Sequence, residues 1–434
     1  MPQLRRLHRC PALLSVLAIL AVACTPPDRA AIEARRPDLT VGVPAEVGLS
    51  AEALARIGPA MQELVDEGAT AGVMTLVARR GVVVHWEAHG SRMLGGAPLE
   101  PNDVFRIYSM TKPITSTAVM MLVEDGVLGL DDPLAAYLPA FDGIQVYDEG
   151  ARRAPSRAIT IRDLLRHTSG LTYGIFGDSP VDRMYRAELG AVLNPQSGLN
   201  LAQFVDRVAE LPLLTDPGNR WNYSLSTDVL GRVVEVTSGM SLRTFFHSRI
   251  FEPLGMHETD FHVAPERLER FTAVYRSGED GLRMIDSPTN GLFSREPTWY
   301  SGGGGLTSTA MDYLRFAQMM LNEGELDGVR ILQPETVREM TRDQLVDVMS
   351  QAGPAATDGF GLGFAVSVRG ETPGLYWWAG VMNTWFWVDP VEEIVAFTWT
   401  QYDPFGAVPI NPMMRRLVYD ALVDSNRMAP AGTP

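Results

Sequence analysis

Ser109 and Lys112 stand three residues apart in Tyr108-Ser109-Met110-Thr111-Lys112-Pro113, and Lys112 is the one lysine among the 37 Lys and Arg residues of the chain. A guanidinium stays protonated near neutral pH, whereas an ammonium gives up its proton readily once buried beside apolar groups or other cations. If residues 110–125 are helical, hydroxyl and amine share one face, one turn apart. A base is then within reach of a nucleophile. A serine in a first helical turn also feels the positive end of the helix dipole, which favours a developing alkoxide or oxyanion. Pro113 is tolerated in a first turn, and the uncharged run 114–123 predicts a buried central helix closed by Gly126. Ser-x-x-Lys recurs by chance, and a lone lysine is usually a solvated surface charge. The apolar neighbours and the uniqueness of Lys112 make this pair a candidate nucleophile and base.

Such a nucleophile further needs a proton shuttle and donors for the oxyanion. Tyr223, at a turn-to-helix junction after Asp216-Pro217-Gly218, is the best third member. A phenol ordinarily titrates at about 10, and a nearby ammonium would stabilise its phenolate. Taken alone, a tyrosine there is more often a packing aromatic with a satisfied hydroxyl. The glycine run 302–305 lacks the Gly-Lys-Ser/Thr ending of a phosphate cradle and reads as a crowded loop beside a cleft. No Gly-x-Ser-x-Gly occurs, which weighs against an α/β-hydrolase. The seven histidines include no His-Glu-x-x-His, so neither a metal nor a cofactor is expected.

The elements that must position these residues read as follows. Residues 1–23, with Arg5-Arg6 and Arg9 ahead of an apolar run too short to span a bilayer, form an export signal. It ends in Leu20-Ala21-Val22-Ala23-Cys24, similar to a bacterial lipobox with alanine where leucine is commoner. The functional reading is a lipidated Cys24; the bland one is plain cleavage after Ala23. Losing the leader takes the formal charge from −15 to −18, which argues against nucleic acid and against anionic lipid as partners. Cys10 leaves with it, so no intramolecular disulfide remains to stabilise the exported chain. Residues 24–47 read as a tether, and residues 48–127 with 299–434 as an α/β sheet domain. The sheet domain begins with a helix over 51–66 kinked at Pro59, then a hairpin through Arg80-Gly81. Residues 128–298 read as an all-helical domain, including helices near 160–167, 201–211 and 225–237. Sheet signals return over 361–368, 374–380, 384–388 and 394–401, and a last amphipathic helix over 412–423 can cover the sheet.

The ordered set Tyr108-Ser109-Met110-Thr111-Lys112, His167-Thr168-Ser169-Gly170-Leu171, Tyr223-Ser224 leading to Leu230-Gly231, Pro253-Leu254-Gly255-Met256 and Gly305-Leu306-Thr307-Ser308 resembles the serine β-lactamase-like superfamily. That group includes class C β-lactamases, D-Ala-D-Ala carboxypeptidases and family VIII carboxylesterases. The resemblance spans roughly residues 47–423. It implies an α+β fold, an antiparallel sheet flanked by helices with a large all-helical insertion, and a cleft between them. By matching position Ser109 is the acylated nucleophile, Lys112 its proton acceptor and positioning charge, and Tyr223 the second base. Two positions depart from the β-lactamase pattern. Tyr223-Ser224-Leu225 lacks the asparagine of Tyr-x-Asn, and Trp378-Ala379-Gly380 replaces Lys-Thr-Gly on the sheet strand. The second change loses an ammonium for a substrate carboxylate and puts an apolar wall there, as in the family VIII esterases. Gly380 would let the backbone approach, and the N–H groups of Val381 and Ser109 would form the oxyanion hole.

The leader with Cys24 and the resemblance together imply an exported, lipid-anchored serine hydrolase that cleaves small-molecule carboxylic esters, with membrane contact only through its anchor. A β-lactamase or D,D-carboxypeptidase is the alternative if an arginine in the cleft replaces the missing lysine. An acyltransferase and a non-catalytic acyl or peptidoglycan-binding sensor are further readings. Oligomeric state and acyl chain length are not written in the sequence. If Lys112 accepts the nucleophile's proton, Lys112→Arg should be nearly as inactive as Ser109→Ala, because arginine keeps the charge and cannot take the proton; retained ester hydrolysis by the arginine variant removes that role.

Overall fold

The computed structural model describes residues 39–190, 193–346, 348 and 358–427. The leader, Cys24 and the first part of the tether lie outside the described residues. Eight strands form the main sheet: β1 (Thr40–Val41), β2 (Gly72–Arg79), β3 (Val82–Gly90), β4 (Gly359–Phe360), β5 (Ala365–Val366), β6 (Tyr376–Gly380), β7 (Thr384–Asp389) and β8 (Ile394–Trp399). Their order is β1-β3-β2-β8-β7-β6-β5-β4. All neighbours are antiparallel except β1 beside β3. Residues 39–47, the end of the stretch read as a tether, thus already contact the sheet through β1 and bury Leu39 and Val47.

Arg80 and Gly81 both take positive φ, +53° and +76°, the backbone that a two-residue turn needs to match the strand twist. All of β2 is buried because both faces of the sheet are covered. The two-residue period of a strand sorts β7 accordingly: Trp385 and Trp387 enter one core, Phe386 and Val388 the other. The first core is roofed by helices α1 (Ala51–Leu54), α2 (Ile57–Asp66) and α6 (Ile410–Asp420), through Leu54, Ile57, Met61, Met414 and Val418. The second holds α3 (Thr111–Glu124), α4 (Ser226–Ser238) and α5 (Ala310–Leu321). Fully burying each such side chain contributes about 1.5–3 kcal/mol. The expected kink at Pro59 falls elsewhere. The chain breaks between α1 and α2 at Ala55 and Arg56, and Pro59 sits in the first turn of α2, where its missing N–H costs nothing.

Residues 128–298 are not all-helical: helices joined by long loops supply most of their regular structure, and two hairpins are added, Val146–Asp148 with Ala151–Arg153 and Val274–Gly278 with Gly281–Asp286. One helix here, Pro180–Leu189, is missing from the sequence reading. Its buried Val181, Tyr185 and Leu189 are spaced by four, and the signal that marks it is the Ser179/Asp182 capping box with proline at the first position. Gly239, at φ +71°, closes α4.

Where the helical stretch rejoins the sheet domain, Thr309 caps α5 by accepting from Asp312 N at 3.3 Å. The Asp312 carboxylate in turn accepts from Glu258 N at 2.7 Å and Thr259 Oγ1 at 2.9 Å. Burial pushes this carboxyl up from 3.8 to about 6. The folded state therefore holds the proton more tightly than the unfolded chain, and stability from this group is present below pH 4 and lost as pH rises through 6. A shift of about two units corresponds to roughly 3 kcal/mol. Asp312→Asn should remove the part of the pH 4 to 7 loss of stability that this group causes, read as the wild-type minus variant difference in urea unfolding; an unchanged difference at both pH values would overturn the assignment.

Candidate functional site

The nucleophile candidate sits on a constrained turn. Tyr108–Met110 form a single 3₁₀ turn leading into α3, and Tyr108 takes φ +42°, a region sparsely populated by residues with a side chain. Three groups hold that turn. Arg106, fully buried, donates to Asp286 Oδ2 at 2.8 Å and to the Thr272 and Ser287 carbonyls, with its guanidinium 3.9 Å from the centre of the Phe271 ring. Tyr313 in α5 donates to Met110 O at 2.9 Å. Leu306 N donates to Thr111 Oγ1 at 3.1 Å. The chain ahead of Ser109 is thereby tied to the second hairpin, and the chain behind it to the sheet domain.

Lys112, one turn on, is buried to 1 % exposure. Its Nζ donates to Gly303 O at 2.6 Å, Tyr173 OH at 2.9 Å and Ser109 Oγ at 3.3 Å. Three protons meet three neutral oxygens, which is the full donor capacity of an ammonium. The spacing read from the sequence is thus realised as a direct hydrogen bond.

Tyr223 is in the same place by a different route. Asn222 N donates to His167 O and Asn222 Nδ2 to Leu171 O, both at 2.8 Å, so the loop before α4 is clamped onto the His167–Leu171 segment. The Tyr223 ring centre lies 4.6 Å from Lys112 Nζ, and its hydroxyl is buried with no hydrogen-bond partner among the described residues. The ammonium therefore faces the Tyr223 ring, and the phenolic oxygen it bonds is that of Tyr173. Burial and the neighbouring Asp228 and Tyr223 push the Tyr173 phenol well above its usual range, so it stays a neutral hydroxyl. His167 is held well below its usual range by burial and by Lys112, and remains a neutral imidazole against the Tyr223 ring, 4.9 Å between centres.

Sequence reasoning missed two residues here. Tyr173 lies two residues beyond the His167–Leu171 motif and carries no periodic signal of its own. Asp228 reads as an ordinary acid in the first turn of α4. In the fold its buried carboxylate accepts from Ser301 Oγ at 2.6 Å and Gly303 N at 2.9 Å, so it holds the N–H of the residue whose own carbonyl receives Lys112. Burial raises this carboxyl and Lys112 opposes the rise. The glycine run is the crowded loop that its composition suggests: a Cβ on Gly303 would stand 2.5 Å from Asp228 Oδ2, and one on Gly302 2.7 Å from Thr227 O.

A cavity of about 430 Å³ opens over Ser109. Trp378 in β6 forms one wall, 5 % exposed, edge-on to Tyr223 at 5.4 Å and to Phe360 at 5.2 Å. Gly380 and Val381 line it too, with Trp377, Trp221 and Arg220. A Cβ on Gly380 would lie 2.5 Å from Ile107 O, so only glycine lets the end of β6 approach the nucleophile turn. The fold thus brings Ser109, Val381, Trp378 and Gly380 to one cavity. Phe176, Val381 and Phe405 line the cavity yet remain exposed, which gives it an apolar rim. A hydroxyl hydrogen-bonded to a buried amine, beside an unpartnered phenol and below an aromatic pocket, is suited to acyl transfer through a covalent intermediate.

Comparison with known proteins agrees with that geometry. A family model described as Beta-lactamase matches residues 59–419. Esterase EstB of Burkholderia gladioli is 31 % identical over 417 residues, covering 87 % of this chain and 98 % of that protein. The lovastatin esterase of Penicillium rubens is 29 % identical over 361 residues, 75 % of this chain and 87 % of that one. Among solved structures, EstCE1, described as a hydrolase with promiscuous acyltransferase activity, superposes with a TM-score of 0.71 at 28 % identity, covering 86 % of this chain and 99 % of its own. A match across most of the chain, with serine, lysine and tyrosine converging in the cleft, places this protein in the beta-lactamase family.

Proposed function

We propose that this protein is a serine hydrolase that cleaves carboxylic esters through an acyl-enzyme on Ser109. The observation that carries the proposal is the Lys112 side chain, buried and 3.3 Å from Ser109 Oγ. The reacting form of Lys112 is the neutral amine, which has given up one of the three protons described above, so that Ser109 Oγ donates to Nζ; the hydroxyl then adds to the ester carbonyl as its proton passes to that amine. The N–H groups of Ser109 and Val381 receive the oxyanion. The Tyr223 hydroxyl, without a partner of its own, relays the proton to the departing alcohol, and water reverses the sequence to release the acid. Tyr173 holds the lysine in place. Trp378 stands where a β-lactam- or peptide-binding ammonium would be, which favours neutral acyl or alkyl groups at that wall. The esterase relatives support the same reading.

The apolar, largely aromatic lining also suits an alcohol in place of water as the acyl acceptor, and the acyltransferase activity printed for EstCE1 favours testing this. The leader and Cys24 support export to the periplasm with a lipid anchor, and the ester is then met outside the cytoplasm.

Hydrolysis of p-nitrophenyl acetate, butyrate and octanoate against nitrocefin tests the reaction class. Serine-dependent ester turnover with little nitrocefin cleavage is expected, with Ser109→Ala lower by at least ~10³-fold in kcat/KM. Predominant nitrocefin turnover would overturn the ester assignment. The two tyrosines separate in the same assay: Tyr223→Phe should lose roughly 10²- to 10⁴-fold in kcat and Tyr173→Phe clearly less, and the reverse ranking would make Tyr173 the shuttle.

A further inference from the structure

Among the described residues, Arg220 is the one charged residue lining the cavity over Ser109, and no described aspartate or glutamate lines it. The chain around it is fixed from both sides. Gly218 N donates to Thr168 O at 2.7 Å, and Asn222 bonds the His167–Leu171 segment twice. Its position is therefore set by the scaffold, with no ion pair holding it.

Among the described arginines, the others that make no hydrogen bond or ion pair are Arg56, Arg207, Arg283, Arg295, Arg369 and Arg416, and all of these are exposed to water. Arg220 is half-buried. Its Nε is shut off from solvent and bonded to nothing. Nor does it lie over an aromatic ring, as Arg106 and Arg249 do. A guanidinium that has lost part of its hydration normally recovers the lost hydrogen bonds from a carboxylate or a carbonyl. Here the surroundings provide neither, and the open side is the substrate pocket.

We infer that Arg220 receives a carboxylate on the substrate, so that the preferred esters carry an anionic group on an apolar body. The inference rests on Ser109 being the acylated nucleophile. The planar fork of a guanidinium pairs with a carboxylate through two parallel hydrogen bonds, a geometry that Trp378 cannot offer. Arg220 stands on the loop before Tyr223 and not on β6, where the lysine of Lys-Thr-Gly would be, so it does not take that lysine's place in the β-lactamase pattern. Aromatic walls and an apolar rim take the hydrocarbon, while Arg220 fixes the register of the chain against Ser109. On a strongly acidic protein this is also a local inversion of charge that admits an anion to the cleft.

The test compares p-nitrophenyl hexanoate with mono-p-nitrophenyl adipate, which have acyl chains of equal length and differ in a terminal carboxylate. The Ser109→Ala rate is subtracted from each. Arg220→Met should lower the adipate-to-hexanoate ratio of kcat/KM by roughly ten- to hundredfold. Arg220→Lys, which keeps the charge and loses the fork, should fall between, and salt should narrow the wild-type preference. A ratio that stays within about threefold of wild type in Arg220→Met overturns the inference while leaving the hydrolase reading intact. If neither ester is turned over, the hydrolase reading falls instead. Arg220 is then judged by quenching of the cavity tryptophans with 4-phenylbutyrate against 4-phenylbutyramide: a carboxylate preference lost in Arg220→Met upholds the anion site, and equal quenching in both proteins overturns it.

Discussion

A buried ammonium must have all three of its protons accepted, and this requirement on Lys112 organises the rest of the molecule. Its acceptors come from three separate segments: the nucleophile turn, the loop carrying Tyr173 and the glycine run. These converge only if the helical stretch closes over the sheet domain in one register. Each segment is in turn fixed by something deeper. Asp228 orients Gly303, Arg106 anchors the strand that leads to Ser109, and the backbone of Asn222 ties the Tyr223 loop to His167. The catalytic candidates are thus held by groups whose own hydrogen bonds are satisfied. That is how a strained φ at Tyr108 can persist beside a reactive hydroxyl.

The electrostatics of the cleft follow from the same burial. His167 is held neutral by desolvation and by the nearby ammonium, and Tyr173 is kept a protonated phenol. Lys112 consequently meets only neutral hydrogen-bond partners, while the buried acid Asp228 is linked to it through Gly303, whose N–H it accepts and whose carbonyl Lys112 bonds. Trp378 and the other aromatic rings around it exclude water from the region where charge develops, which strengthens every donor aimed there.

Steric limits shape the cavity as much as polarity does. Gly380 brings β6 within van der Waals reach of the carbonyl before the nucleophile turn, and Gly302 and Gly303 allow α3 and α4 to share one loop. The tryptophan-rich end of the sheet supplies a wall, and Arg220 supplies the one lining charge among the described residues. Apolar body and anionic tip are recognised by different elements, so each can vary independently of the Ser109–Lys112 pair.

Much of this was legible in the sequence because it is local. The serine–lysine spacing needs only one helical turn, and the hairpin at Arg80-Gly81 needs only two residues of turn chemistry. The replacement of Lys-Thr-Gly by Trp378-Ala379-Gly380 was likewise readable as a change of wall. Other features needed the tertiary structure. Tyr173 meets Lys112 across 61 positions, Gly303 across 191, and Asp228 reaches Ser301 across 73. No propensity or period encodes such pairings, because they arise when separately stable elements pack and leave a polar group one acceptor short. The break between α1 and α2 was decided in the same way: Pro59 predicted a kink by its own chemistry, and packing of Ile57 and Met61 against β2 placed the break elsewhere. Residue types and short spacings therefore determined which chemistry this chain can perform. Long-range packing decided which side chains share the cavity, since burial and the hydrogen bonds it demands exist only once distant segments have met.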